Sequence, residues 1–203
     1  MVTYEGLPGP LVCDYWSREQ SRARYDDGAT FQIGRIDMVA NTGTYVDAPF
    51  HRFADGDDIA ALPLGRLAAM PAIRVQCDAP AIDADAFEGC DLAGKAVLVH
   101  TGWDRHWRTP AYFHGHPFLT EAAARLLADA GALFVGIDSY NIDDTSGRTR
   151  PVHTVLLGAG IPICEHMCNI GALPRDGFRV SAVPAPVVGM GSFPVRALAE
   201  VQG

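Results

Sequence analysis

Ala96-Val97-Leu98-Val99-His100, then Thr120-Glu121 opening a run to Ala130-Gly131, then Leu133-Phe134-Val135-Gly136-Ile137, is the part of the chain that decides its fold. The outer two segments are short and apolar, as buried strands are, while Thr120 and Glu121 begin a helical pattern that Gly131 stops. Strand, helix and strand in that order form a β-α-β unit, hence a parallel pair with a right-handed crossover. Residues just past the carboxyl ends of such strands line the ligand crevice. Here these are Thr101-Gly102-Trp103-Asp104 and Asp138-Ser139-Tyr140.

Downstream, Val152 to Leu157 has the pattern of a short helix ended by Gly158, and Ile161 to Glu165 that of a strand entering a polar stop. Phe178 to Val183 is a further strand, and Pro184-Ala185-Pro186 forces an extended, non-central segment. Upstream, Ala72 to Cys77 reads as a strand, and Arg52 to Asp58 has turn chemistry. Phe31 to Val39 reads as a strand leading into the next motif, whereas Cys13 to Trp16 and Ser17 to Arg22 read as irregular or briefly helical. The whole of 1–203 is expected to form one α/β domain with a mixed sheet.

The stretch Asn41-Thr42-Gly43-Thr44-Tyr45-Val46-Asp47-Ala48-Pro49-Phe50-His51 concentrates the chemistry. Its β-branched residues and Pro49 make it extended, so Asn41, Tyr45, Asp47 and His51 share the parity to project from one side. A solvated strand face would also alternate in this way. The small and apolar residues between the polar ones favour the floor of a pocket instead.

Composition narrows the function classes. With 203 residues, 48% hydrophobic and 20% charged, the chain suits a compact domain with a sizeable core. A net charge of -8 argues against nucleic acid and anionic membrane surfaces, which leaves small molecules as the partner class. No apolar run approaches a membrane span and the first ten residues have no leader pattern, so a cytoplasmic location is expected. The 5 cysteines lack zinc-ribbon spacing and fit reduced core thiols. The single lysine, Lys95, sits in a turn, so Schiff-base chemistry is not expected.

The motif at 41–51, together with Thr101-Gly102-Trp103, His116-Pro117-Phe118, Gly136-Ile137-Asp138, His153 with Leu156-Leu157, Glu165 and Gly191-Ser192-Phe193-Pro194-Val195-Arg196, resembles the cyclase family. That family includes bacterial kynurenine formamidase (arylformamidase), isatin hydrolase and related lactone and cyclic-amide hydrolases. The resemblance runs from about Asp14 to Arg196. It implies a swivelling β/β/α-type fold, a homodimer or homotetramer, and divalent metal held by a His-x-Gly-Thr-His-x-Asp-x-Pro-x-His signature with a downstream His and Glu. Asp47, His51, His153 and Glu165 match that pattern, while Asn41 and Tyr45 stand where its two leading histidines would be.

Those two replacements weaken the implied metal centre, because an amide carbonyl is a weak ligand and a phenol binds only once deprotonated. Asp47, His153 and Glu165, with His51 beside them, remain able to hold a single Zn or Mn, although the expectation leans towards no cofactor. Without metal, His51 can move a proton, Asp47 or Glu165 can orient it, and Tyr45 and Asn41 can donate to an oxyanion. The expected activity is hydrolysis of a lactone, amide or formamide bond in a small cyclic or acylated carbonyl compound, or the related cyclisation. The rival class is a binding protein that has kept the pocket and lost the chemistry.

Trp103, Phe50 and Tyr140 are expected as an aromatic wall, and the resemblance adds Trp16. Asp138 is either a pocket acid or a carboxylate satisfying the turn through Ser139 and Asn141. His114-Gly115-His116 reads as a structural loop, Gly158-Ala159-Gly160 lacks the context for dinucleotide binding, and Cys164 reads as a buried thiol. No Gly-x-Ser-x-Gly elbow exists.

Overall fold

A computed structural model describes residues 6–201. The chain forms β1 (Leu11–Trp16), α1 (Arg18–Arg22), β2 (Ile33–Asp37), β3 (Tyr45–Asp47), β4 (Met70–Gln76), β5 (Ala81–Ile82), β6 (Ala96–His100) and β7 (Phe118–Leu119). It continues as α2 (Glu121–Asp129), β8 (Phe134–Ile137), α3 (Pro151–Gly158), β9 (Ile163–Glu165), β10 (Phe178–Ser181), β11 (Ser192–Pro194) and β12 (Leu198–Val201). Eight strands form one mixed sheet in the order β11-β3-β9-β8-β6-β4-β10-β12. β4, β6, β8 and β9 run parallel, and β3, β11, β10 and β12 extend the sheet antiparallel at its two ends. This is the mixed-sheet α/β fold with a β-α-β unit that the middle of the chain implied.

Strand alternation sorts the core into two layers. Val97, Val99, Val135, Ile137 and Ile163 face α2 and α3, where Ala123, Leu127, Val152 and Leu156 meet them. Ala96, Leu98, Phe134 and Cys164 face the opposite way, onto Val46, Phe178 and Val180 of the antiparallel strands and onto Leu62, Leu67 and Met167 of the connections. The outer strands thus curl over the central ones and bury the face without helices. α2 is capped by Thr120, whose hydroxyl accepts from the Ala123 amide, and it gives way to Gly131 at φ 75°.

Three local expectations fail. The segment 31–39 does not lead into the main sheet: Ile33–Asp37 pairs with Leu11–Trp16 as a separate hairpin, so Cys13 to Trp16 is strand and not irregular. The stretch 41–51 is not one extended run, since only Tyr45–Asp47 is strand and Pro49–His51 winds into a single turn. The helix after Arg150 begins on Pro151, which needs no amide partner at a first position, and runs through Gly158 to stop at Ala159 and Gly160, the latter at φ 68°. Ser192–Pro194 and Leu198–Val201 are strands that the sequence pattern did not reveal.

Candidate active site

Register assembles the site before any loop does. In the antiparallel edge, Asp47 lies opposite Ser192 on one side and Ile163 on the other, while Tyr45 lies opposite Glu165. Directly opposed residues share a face, and Ile163 belongs to the helix-side core, so Asp47, Tyr45, Glu165 and Ser192 all project towards α3. There α3 presents His153. His51 arrives from the turn after Pro49, whose close approach to β11 requires Gly191: a Cβ there would lie 2.7 Å from the His51 backbone.

Hydrogen bonds fix the tautomers. The Ser192 hydroxyl donates to Asp47 Oδ1 and accepts from Asn41 Nδ2 at 3.3 Å, so the contact of 3.0 Å with His51 Nδ1 makes that nitrogen the donor. Nε2 of neutral His51 is therefore an acceptor. His51 lines a cavity of about 980 Å³, as do Asn41, Tyr45, Asn141, Tyr140 and His153. His153 Nδ1 donates to Asp143 Oδ2 at 2.6 Å, which leaves Nε2 3.7 Å from Asp47 Oδ2 and 3.7 Å from Glu165 Oε1. Asp143 also accepts from the Val152 and His153 amides at the start of α3, which locks the helix to the imidazole it carries.

Burial alone would lower the pKa of His153, but the hydrogen bond to Asp143 and the nearby carboxylates of Asp47 and Glu165 outweigh it and raise the value to about 10. Glu165, fully buried, is pushed above the usual carboxylate range by desolvation and the Asp47 charge, opposed by His153 and by hydrogen bonds from Tyr45 and the Ile142 amide. Three buried carboxylates, Asp47, Glu165 and Asp143, thus surround one imidazole. Asp47 Oδ2 is buried without a hydrogen-bond partner.

An unpartnered buried carboxylate oxygen amid surplus negative charge is what a cation would satisfy. Ligand atoms of Asp47, His51 and His153 lie within 4.8 Å of one another, and Glu165 adjoins His153. These donors fit one divalent metal ion, and Asp143 supplies the carboxylate behind His153 that orients a ligating imidazole. Tyr45 and Asn41 do not add to the set. The Tyr45 hydroxyl spends its one hydrogen on Glu165 and so holds another site residue, whereas Asn41 gives one amide hydrogen to Ser192 and lines the cavity with a second N–H.

The expected substrate contacts are placed elsewhere, for identifiable reasons. Asp138 accepts from the Thr101 amide and hydroxyl and the Gly102 amide, a turn-bracing carboxylate whose pKa burial raises against those bonds. Trp103 is tied by its indole N–H to the Tyr112 carbonyl at 3.0 Å and packs on His106. Trp16 packs on Phe31 and under the Arg24 guanidinium in the hairpin, and Phe50 is 37% exposed. None of these four lines the cavity, whose aromatic wall is Tyr45, Phe113, Phe118 and Tyr140. His116, in the loop read as structural, also lines the cavity, bonded to Thr145 and Ser139. Asp143, Ser192 and Asn141 were missed; Asn141 and Asp143 follow β8 in the loop where the strand-end rule would have looked.

The Cyclase family model matches residues 10–144. The kynurenine formamidase of Geobacillus thermodenitrificans is 29% identical over 97% of this chain and 91% of its own length. That of Salinibacter ruber is 30% identical over 86% and 82%. A solved structure described as a potential metal-dependent hydrolase with cyclase activity superposes with a TM-score of 0.75 at 27% identity, covering 98% of this chain and 94% of the other. Isatin hydrolase A from Labrenzia aggregata superposes with a TM-score of 0.78 at 21% identity, covering 98% and 85%, a likeness of fold.

Proposed function

The chain belongs to the Cyclase family, and from that premise we propose that it hydrolyses a formamide or amide bond in a small carbonyl compound, using Asp47, His51, His153 and Glu165. The observation that carries this reading is His153 Nε2, set 3.7 Å from both the unpartnered Asp47 Oδ2 and Glu165 Oε1, which lie buried behind the cavity that His153 lines. Asp47, His153 and Glu165 would hold a single divalent ion, with His51 within reach, and such an ion supplies Lewis acidity and lowers the pKa of bound water.

The protein's own groups supply the proton traffic. His51 Nε2 faces the cavity as an acceptor, placed to take the proton of the attacking water and return it to the leaving nitrogen. Ser192 and Asp47 hold its ring through Nδ1. Glu165 is kept in place by Tyr45 and the Ile142 amide, so its carboxyl cannot swing away when charge develops beside it. The relatives named kynurenine formamidase place the aryl formamides first among substrates to try.

The hairpin of β1 and β2 exposes Leu11 and Tyr15 on one face and Val12 and Ile36 on the other, apolar surface that a second copy would cover in the proposed homodimer or homotetramer. Among the described residues no helix is long and apolar enough to cross a membrane.

The test combines turnover with metal analysis. Purified protein is assayed on a panel of aryl formamides and lactones, and elemental analysis and calorimetry with Zn or Mn are run on wild type and Asp47→Asn. Hydrolysis of a formamide, with one ion per chain that Asp47→Asn fails to bind, is expected. Ligand-induced melting shifts with no turnover of any panel member would overturn the enzyme reading in favour of a binding protein.

A further inference from the structure

Buried carboxylates stand behind His153, yet two arginines line the wall of the cavity that holds His51 and His153. Arg52 follows His51 and Arg150 precedes α3 by one residue, so the two catalytic histidines and the two guanidiniums come from the same two segments. The segments are tied together: Arg52 Nε donates to the Thr154 hydroxyl at 3.0 Å, and that hydroxyl donates to the Arg150 carbonyl at 2.8 Å. Arg150 uses Nη1 alone, on the carbonyls of Asp144, Gly147 and Thr149.

Among the described residues each guanidinium is therefore anchored by one nitrogen and keeps a two-nitrogen edge without a hydrogen bond: Nη1 and Nη2 in Arg52, Nε and Nη2 in Arg150. That edge is the fork which matches a carboxylate. Neither arginine forms an ion pair among the described residues. Asp144, the nearby acid on this wall, has both oxygens accepting from Ser146 at 2.8 Å. Burial keeps His116 below its ordinary pKa and so mostly uncharged. The wall thus carries two positive charges against one negative, on a chain whose net charge is -8.

We propose that Arg52 and Arg150 form a subsite for a carboxylate borne by the substrate remote from its scissile bond. The subsite also sets the polarity of binding. An anionic end is drawn to the arginines, so the neutral amide end is the one left for His51 and His153. This rests on the hydrolytic reading above and deepens it, since it names the substrate class.

The probes are para-formamidophenylacetate and its uncharged carboxamide, para-formamidophenylacetamide. Wild type is expected to favour the acid by about tenfold in kcat/KM, mainly through KM, because partly exposed arginines are solvent-screened; the preference falls as ionic strength rises. Arg52→Gln lowers the ratio several-fold, Arg52→Lys restores part of it, and the double replacement with Arg150→Gln brings it near one. Equal turnover of the two probes by wild type, or a preference that survives the double replacement, overturns the subsite. If neither probe is hydrolysed, the hydrolytic reading is what fails. The subsite is then judged by calorimetry with para-aminophenylacetate against its amide: acid binding lost in the double variant upholds it, and equal binding of acid and amide overturns it.

Discussion

His153 and His166 are both 5% exposed, and Glu165 lies between their two environments, yet the pKa of one is raised and that of the other lowered. His153 faces Asp143, Asp47 and Glu165, and its pKa is pushed up to about 10. His166 is surrounded by rings, with centroids of Tyr45 at 5.4 Å, Tyr112 at 5.7 Å, Tyr140 at 6.0 Å and Trp107 at 6.1 Å. Its Nδ1 meets the Tyr112 hydroxyl at 2.8 Å, and burial, with a smaller contribution from any proton on His116, lowers its pKa to about 3. Equal burial thus leads to opposite pKa shifts, because the neighbours decide whether desolvation is compensated. The proposed proton and cation chemistry falls on the acidic side of Glu165, and the aromatic side is a wall packed against it.

The largest expected difference is in catalysis. His153→Gln should lower kcat on an aryl formamide by about 10³-fold, within the range of positioned acid-base groups, while His166→Asn should cost less than about tenfold. Asn suits the left-handed backbone at residue 166, where φ is 56°. Equal losses in the two variants would erase the distinction between working side and wall.

The second contrast is in stability against pH, measured on metal-free protein by denaturant unfolding. His153 binds an extra proton in the native state between its ordinary pKa of about 6.5 and about 10, so its contribution is complete below that window and is lost as pH rises through it. His166 is the reverse: the unfolded chain binds the extra proton between about 3 and about 6.5, so stability falls as pH falls through that window. Each effect is on the order of several kcal/mol at most. His153→Gln should flatten the alkaline limb and His166→Asn the acid limb. Limbs unchanged by their respective variants would mean that other groups carry the pH dependence.

Tyr45 joins the two regions, its ring against His166 and its hydroxyl on Glu165, and it sharpens the comparison with the smallest effect. Tyr45→Phe keeps the ring in the wall and removes a hydrogen bond from the acid, so kcat should fall roughly tenfold and stability by about 1–2 kcal/mol. A thermal scan and a rate measurement on the same sample separate the two. A stability loss without a rate loss would place Tyr45 wholly in the wall.

The fold was legible where local pattern and tertiary role agree. Val97, Val99, Val135 and Ile137 are apolar because both faces of the central strands are buried, and Thr120 and Gly131 bound α2 by chemistry confined to a few residues. The outer strands were harder. Ser192-Phe193-Pro194 is three residues long and contains a proline, tolerable there because β11 is the sheet edge, a position no local signal announces. The N-terminal hairpin was misread for the same reason: strand 33–37 looks the same whether it joins the main sheet or a partner twenty residues upstream.

For the site, Asp47, His51, His153 and Glu165 could be named from the sequence because residue type and family-like spacing survive in the linear chain. What the linear chain could not express is which donors are already committed. Trp103 and Asp138 stand at strand ends, as pocket residues do, but their polar atoms are consumed by Tyr112, Thr101 and Gly102. Ser192 reaches His51 and Asp47 across 141 and 145 residues of chain, and Asp143 reaches back onto His153 from the loop ahead of α3. The sequence by itself determined the chemical inventory and the central β-α-β frame, both matters of residue type and short-range periodicity. Only the tertiary structure decided the opposite pKa shifts of His153 and His166, the tautomer of His51 and the unused edges of Arg52 and Arg150. Each of those depends on long-range register and on the dielectric of the packed surroundings, neither of which exists until the sheet has closed.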